Sequence, residues 1–342
     1  MPHRSMVRLT LRGVCLMTIA AAVAIGQQPE TPPAPGTPKD FRLPPKTTFT
    51  LENGMQVVMI PFGIVPKTTI RVVLHSGNVN EQPNEVWLAD VTAAMLREGT
   101  TSRTAQQISQ TLAEMGGSLG VRVSSDQTRI DADVLTERVP DAVRVIADVV
   151  RHPRLPASEL PRIRANFLRQ LSIQRSQPQP LAEERFAQLV YGDHPYGRIF
   201  PTEGMLNGYT AEQVRKFYAA NYGASRAKLY VAGVFDRATT ERAIRDAFGG
   251  WAPGGALRVV PPPKPRAQRQ FALVDRPNAP QSTIYLGLPV PDPSQRDWIA
   301  LQTTDALLGG SFSSRITTNI REQKGYTYSP FSSVRPHYRD AN

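Results

Sequence analysis

Few side chains in this sequence are spaced for metal or nucleophilic chemistry. The five histidines (His3, His75, His152, His194 and His337) show no ligand spacing with one another, and the one cysteine is Cys15. A helix that grips a metal needs donors at i and i+4 on one face, with a carboxylate beside them as general base. The stretch from Trp87 to Thr100 offers such a face without its donors. Asp90 could be one hard ligand, but Ala93 and Ala94, at i+3 and i+4, offer nothing. A different chemistry is open to Arg321 and Tyr328, seven residues apart. A guanidinium can hold substrate carbonyls, and a phenol O–H can stabilise an oxyanion as water attacks. The plainer alternative is a surface arginine and a strand tyrosine that pack locally.

These residues need a scaffold, and the local signals supply one. Asn84 is an expected N-cap with Glu85 in the first turn, Leu88, Val91 and Met95 share one face, and Gly99 is the expected C-cap. Thr47 to Ile60 reads as a hairpin around Asn53-Gly54, with a third strand at Thr69 to Leu74. Thr104 with Gln107 and Thr210 with Gln213 are capping boxes, and Asp236 caps a further helix. Gly120 to Ser124, Thr128 to Leu135 and Lys228 to Val234 read as strands. Helices are expected near Arg138–Arg151, Ala157–Gln174 and Leu181–Val190. The order indicates an α+β fold, with helices packed on a mostly antiparallel sheet.

Residues 46–251 then form a first domain. Residues 252–268 contain Pro253, Pro261, Pro262, Pro263 and Pro265 and read as a stiff linker. Phe271 to Val274 and Ser282 to Leu288 are expected strands of a second domain, followed by a helix from Asp297 to Leu308. Trp298-Ile299-Ala300 repeats Trp87-Leu88-Ala89 at an offset of 211, which Leu307 and Gly310 keep from Leu96 and Gly99. Residues 269–342 are therefore expected to be a second, homologous domain, truncated relative to the first.

The 342 residues are 40% apolar and 20% charged, a soluble globular profile. Arg4, Arg8 and Arg12 precede an apolar run from Gly13 to Gly26, too short to span a bilayer, so residues 1–26 read as a secretory signal cleaved near Gly26/Gln27. The product is expected to be exported, periplasmic or secreted, without a stable membrane anchor. Residues 27–45 are rich in Pro, Thr and Gly and read as a disordered spacer. Loss of three of the 40 basic residues with the signal, and of none of the 29 acidic ones, leaves a net charge of +8. The basic residues are scattered, which argues for a solvated surface and against a nucleic-acid partner.

Three strings together carry a family resemblance. The frame Leu88, Ala89, Met95, Gly99, Thr100 resembles the zinc helix of the insulinase/pitrilysin metallopeptidases, the inverted zincins that include the mitochondrial processing peptidase. His194-Pro195-Tyr196-Gly197-Arg198 is similar to a loop of that family. Leu308 to Arg315, with Asn319 to Ser329, resembles its C-terminal-half signature. The resemblance implies that Asp90, Ala93 and Ala94 stand where the family has His, Glu and His, and that Gln170 stands at the later glutamate ligand. It further implies that Gly120 and Val121, after Gly116-Gly117, belong to the edge strand that receives substrate. Arg321 and Tyr328 match an Arg/Tyr pair that reaches into the zinc site of the opposing half.

The expectation is a zinc-ligand-deficient member, inactive alone and with no cofactor in this chain. It would pair as a heterodimer with a zinc-bearing insulinase-family subunit, lend it Arg321 and Tyr328, and act on unfolded peptide. The alternatives are a purely structural or peptide-binding subunit and, least favoured, an autonomous peptidase with remodelled ligands.

Overall fold

The computed structural model describes residues 36–37, 40, 42–256, 259–264, 268–338 and 340–342. The expected signal at 1–26 lies outside the described residues, as do parts of 27–45 and of 252–268. The regular elements all fall within one unit, Pro44–Asn342.

Strands β1 (Thr47–Thr50) and β2 (Gln56–Pro61) form the expected hairpin. Its loop is one residue longer than a two-residue Asn-Gly turn. Leu51 donates to Met55 and Gly54 donates to Leu51, both at 2.9 Å, with Gly54 at φ +88°. That is a three-residue loop with glycine in the left-handed position. The Asn53 amide donates to the Phe248 carbonyl at 2.8 Å and so ties the hairpin to the rest of the fold. Strand β3 (Lys67–Leu74) follows, then helices α1 (Leu88–Met95) and α2 (Ala105–Glu114). The hairpin of β4 (Gly120–Val123) and β5 (Thr128–Leu135) leads to α3 (Val139–Arg151), α4 (Leu160–Ser176), α5 (Pro178–Tyr191), α6 (Glu203–Gly208) and α7 (Ala211–Asn221). Strand β6 (Ala227–Gly233) and α8 (Arg237–Phe248) complete this layer pair.

The sheet order is β1-β2-β6-β3-β5-β4. Every neighbouring pair is antiparallel except β2 and β6. Strand β6 thus sits between two strands that adjoin in sequence. One face of the sheet presents Val57, Met59, Ile70, Val72, Leu74, Ile130, Val134, Leu229 and Val231, all buried in one apolar cluster with the helices. The other face carries charge. Lys67 lies 3.3 Å from Asp133, Arg71 lies 3.8 Å from Asp131, and the Thr69 hydroxyl donates to Asp133 at 2.6 Å. Half-exposed pairs of this kind add little stability one by one. Their effect is to keep that face in water and the apolar face inward.

The local start signals hold where they are local. Thr104 and Gln107 exchange bonds of 3.2 and 2.8 Å, and Thr210 and Gln213 do so at 3.2 and 2.9 Å. Asp236 accepts the Thr239 N–H at 2.9 Å. The expected cap at Asn84 is different. Helix α1 starts at Leu88 with Trp87 in the N-cap position, and no side chain at Trp87 caps it.

Beyond α8, helix α9 (Trp298–Asp305) forms where the repeat places it, followed by wide helical turns at Ala306–Gly310 and Thr317–Gln323. The expected strands at 271–274 and 282–288 do not form ladders among the described residues; Val290 only bridges to Ala341. Alternating apolar residues mark a pleated face, but a ladder needs a neighbouring backbone to bond. Without one, Phe271, Leu273, Ile284 and Leu286 are left 81–97% exposed. The last residues form a short pair, β7 (Pro336–His337) with β8 (Asp340–Ala341).

This division of the chain predicts two very different alanine costs. Ile70→Ala, in the central strand with no exposed surface, should lower unfolding stability by about 2–5 kcal/mol. Ile284→Ala, 84% exposed, should stay within about 0.5 kcal/mol. Urea denaturation followed by circular dichroism measures both, and equal losses would contradict the packing described.

Candidate functional site

Helix α1 opens with a strained residue and a borrowed cap. Trp87 lies at φ +69°, the left-handed region that non-glycine residues rarely adopt. Its indole holds it there: Nε1 donates to the Ile199 carbonyl at 3.0 Å, and the ring packs on Phe167 and edge-on against Phe200, each with centroids 5.9 Å apart. The N–H groups of the first turn are met by Glu81, from the turn after β3. Glu81 Oε1 accepts from Ala89 at 2.8 Å, and Oε2 accepts from Trp87 at 3.2 Å. A carboxyl at a helix N-terminus satisfies donors that the helix itself leaves unbonded.

Asn78 joins this cap to Asp90. Its side-chain amide donates to Glu81 Oε1 at 3.1 Å and to Asp90 Oδ2 at 2.7 Å. Gly77, just before it, lies so close to the β4–β5 turn that a Cβ would sit 2.2 Å from the Ser124 carbonyl oxygen. Only glycine lets the Asn78 turn lie against that hairpin. Burial pushes the Glu81 carboxyl up to about 8, against the lowering effect of the Ala89 N–H. It pushes Asp90 up to about 6, against the Asn78 amide. No salt bridge reaches either acid among the described residues.

At the other end, α1 runs through a tight turn, Leu96–Glu98, into Gly99 at φ +109°. Thr100 is fixed there by its hydroxyl, which donates to Asp148 at 2.7 Å, and Arg103 pairs with the same carboxylate at 2.6 Å. A cavity of about 400 Å³ opens beside α1. Asp90, Ala93, Ala94 and Arg97 line it from the helix, Val121, Arg122 and Val123 from the edge strand β4, and Phe167 from α4.

The fold thus brings Asp90, Ala93, Ala94 and Val121 to one place. Gly120 starts β4 beside them. Gln170 is exposed one turn beyond Phe167 and does not line the cavity. Zinc does not fit this donor set: two of the three helix positions are methyl groups. Among the described residues no three His, Cys, Asp or Glu side chains stand together as a metal site.

Arg321 and Tyr328 meet elsewhere. The Arg321 guanidinium carbon lies 4.2 Å from the Tyr328 ring centroid and 4.7 Å from that of Phe312. A guanidinium stacked on aromatic faces keeps its in-plane donors available. Tyr328 and Phe312 are 76% and 70% exposed. His194 has a structural setting: Nδ1 accepts from the Tyr196 N–H at 3.2 Å and Nε2 faces the Pro261 carbonyl at 3.0 Å.

Sequence reasoning missed Glu81, Asn78, Arg97 and Phe312. The available signal for Glu81 was a helix start at Leu88 whose expected cap, Asn84, lies too far upstream to reach its first turn. Phe312 stood in the quoted signature and was visible as an aromatic near Arg321.

Comparison with known proteins covers most of the chain. Residues 64–201 match the family described as insulinase (peptidase family M16), and residues 208–341 match the peptidase M16 inactive domain. An uncharacterized zinc protease of Streptomyces coelicolor is 27% identical over 83% of this chain and 63% of its own length. One from Mycobacterium leprae is 28% identical over 83% and 65%. The chain therefore spans about two thirds of the length of these relatives. Among solved structures, a peptidase M16 inactive domain from Pseudomonas fluorescens superposes with a TM-score of 0.75 at 22% identity, covering 87% of this chain and 73% of its own. A protease from Helicobacter pylori gives 0.75 at 18%, covering 88% and 74%. At such identities the superpositions show the fold, a mixed helix and sheet architecture with a mostly antiparallel sheet.

Two measurements follow from the site. The purified chain, incubated with zinc and desalted, should carry far less than stoichiometric metal by elemental analysis. The second concerns pH. Both acids are shifted upward, so the folded state holds their protons more tightly than the unfolded chain. That stability is complete below about pH 4 and is lost as pH rises toward 8. Thermal melts between pH 4 and 9 should show Glu81→Gln flattening this decline; an unchanged slope would mean that Glu81 does not titrate in the window.

Proposed function

The chain belongs to the insulinase family, peptidase family M16, and on that footing we propose that it is a half-site subunit without zinc, which completes the active site of a zinc-bearing relative. In this reading residues 46–251 and 269–342 are two homologous units joined by the proline-rich stretch, and the partner brings the metal and the water-activating base. This chain contributes Arg321 and Tyr328. The observation that carries the reading is their pairing: the Arg321 guanidinium stacks on the Tyr328 and Phe312 rings, and both rings are exposed. Meanwhile Ala93 and Ala94 leave the chain's own helix without chemistry. The Arg321 guanidinium is suited to hold the carbonyl oxygens of an extended peptide. The Tyr328 hydroxyl is suited to donate to the oxyanion that forms at the scissile carbonyl.

The chain also has an edge strand open to peptide. Strand β4 ends the sheet, and its outer side has no strand neighbour among the described residues. Unfolded peptide can add there by backbone hydrogen bonds, as it does on other open sheet edges. This supports the second reading, capture of peptide by a subunit that has no part in the chemistry. The N-terminal sequence supports an exported location, in keeping with a structural neighbour from Escherichia coli described as the periplasmic protease PqqL, TM-score 0.66 at 15% identity, covering 87% of this chain and 34% of that one. Among the described residues no helix is long and apolar enough to cross a membrane.

Co-expression with a zinc-motif relative, from a neighbouring gene where one exists, followed by a peptide-cleavage assay separates the readings. Arg321→Ala and Tyr328→Phe should each lower the rate of the complex by about 10²–10³-fold, the worth of an oxyanion donor. If complexes form and both variants cleave at the unaltered rate, the half-site role is wrong and the capture reading stands.

A further inference from the structure

Asp90, Ala93, Ala94 and Arg97 follow one another at i, i+3, i+4 and i+7 along α1 and its continuing turn, and all four line the cavity. Along the helix, Ala93 and Ala94 are the cavity-lining positions between Asp90 and Arg97. Long side chains on a helix lean back toward its N-terminus, which for Arg97 is the direction of Asp90.

Arg97 is engaged elsewhere. Its Nη2 donates to the Val121 carbonyl at 3.0 Å. The register of the β4–β5 hairpin shows what that carbonyl is. Ser124 N–H donates to the Gln127 carbonyl at 2.9 Å at the turn. Counting back through an antiparallel ladder, hydrogen-bonded and non-bonded pairs alternate. Arg122 opposite Arg129 is then a bonded pair, while Val123 opposite Thr128 and Val121 opposite Ile130 are not. The N–H and C=O of Val121 therefore point away from β5, onto the open edge. Arg97 occupies the acceptor that an incoming strand would need. Open edges are commonly blunted by charged side chains.

We propose that Arg97 is a two-position gate on the β4 edge: it covers the Val121 carbonyl while the edge is empty and swings past Ala93 and Ala94 to Asp90 when an extended peptide takes that carbonyl. The proposal rests on β4 as the peptide-receiving edge. Asp90 is a suitable destination because it lies in the same cavity, the Asn78 amide is the side chain that donates to it, and among the described residues no salt bridge reaches it. Leaving a neutral carbonyl for a carboxylate gives the guanidinium a stronger, charge-assisted bond in a partly desolvated site. The exchange keeps every group bonded: the peptide N–H replaces Arg97 on Val121, and Arg97 becomes the cation of Asp90. The chain's alanines gain a role in this account, since larger side chains at 93 or 94 would block the path.

The test is a double-mutant cycle on the full chain, with peptide binding read by fluorescence anisotropy of a fluorescein-labelled ten-residue peptide of alternating serine and valine. Arg97→Ala should bind it about tenfold tighter than the unaltered chain, the worth of one hydrogen bond to a charged group. Asp90→Asn should weaken binding several-fold when Arg97 is present, and that effect should vanish in the Arg97→Ala background. Arg97→Gln, which keeps a neutral donor, should fall between. Melting curves confirm that each variant is folded. Binding by Arg97→Ala no tighter than by the unaltered chain, or an Asp90→Asn effect of equal size in both backgrounds, overturns the gate while leaving β4 as a peptide edge. If neither the unaltered chain nor Arg97→Ala binds the peptide, the edge itself does not receive peptide and the gate falls with it.

Discussion

The geometry around α1 depends on one carboxyl group that does not belong to the helix. Glu81 takes the N–H groups of Trp87 and Ala89 and is itself held by Asn78. Without it the first turn of α1 would bury unbonded donors, which costs about 1–3 kcal/mol for each group left unsatisfied. The Trp87 backbone N–H would also lose its acceptor. Its ring, clasped by Phe167 and Phe200, then sets how α4 and the segment before α6 lie against the helix. The cavity is the space that remains between these fixed parts and β4.

That cavity has an unusual charge arrangement. Buried acids in proteins are ordinarily paired with a cation or a metal. Here two acids share one neutral amide, and the helix positions that could have held metal donors are methyl groups. Ala93 and Ala94 leave room in the cavity beside the helix. Arg97 lines the same cavity, with its guanidinium on the Val121 carbonyl.

The sequence was most legible where a signal is self-contained. Thr104, Thr210 and Asp236 cap their helices within three residues of themselves, and β5 spans the residues that its alternation indicates. The frame of Leu88, Met95 and Gly99 was equally readable, because packing periodicity is local. The start of α1 was not. Its cap comes from six residues before Trp87, through a turn whose path is set by the β4–β5 hairpin. The segments at 271–274 and 282–288 show the complementary limit: their alternation is clear, yet a ladder is a property of two chains side by side. The Arg97 contact was hidden for a third reason. Which carbonyls of β4 face outward depends on hairpin register, and a shift of one residue would have turned Val121 inward.

The place of β6 in the sheet bears on how the protein comes to be made. Val57 in β2 pairs with Leu229, and Val72 in β3 pairs with the same residue from the other side. During synthesis both strands must therefore wait for the chain to grow past Gly233, on the order of 10–30 s at ordinary elongation rates. Until then the sheet is split, with two bare edges and an apolar face uncovered. Contacts so distant in sequence also make folding slow once the chain is complete. A nascent chain of this design spends its early life unfolded, dependent on whatever keeps exposed strands apart.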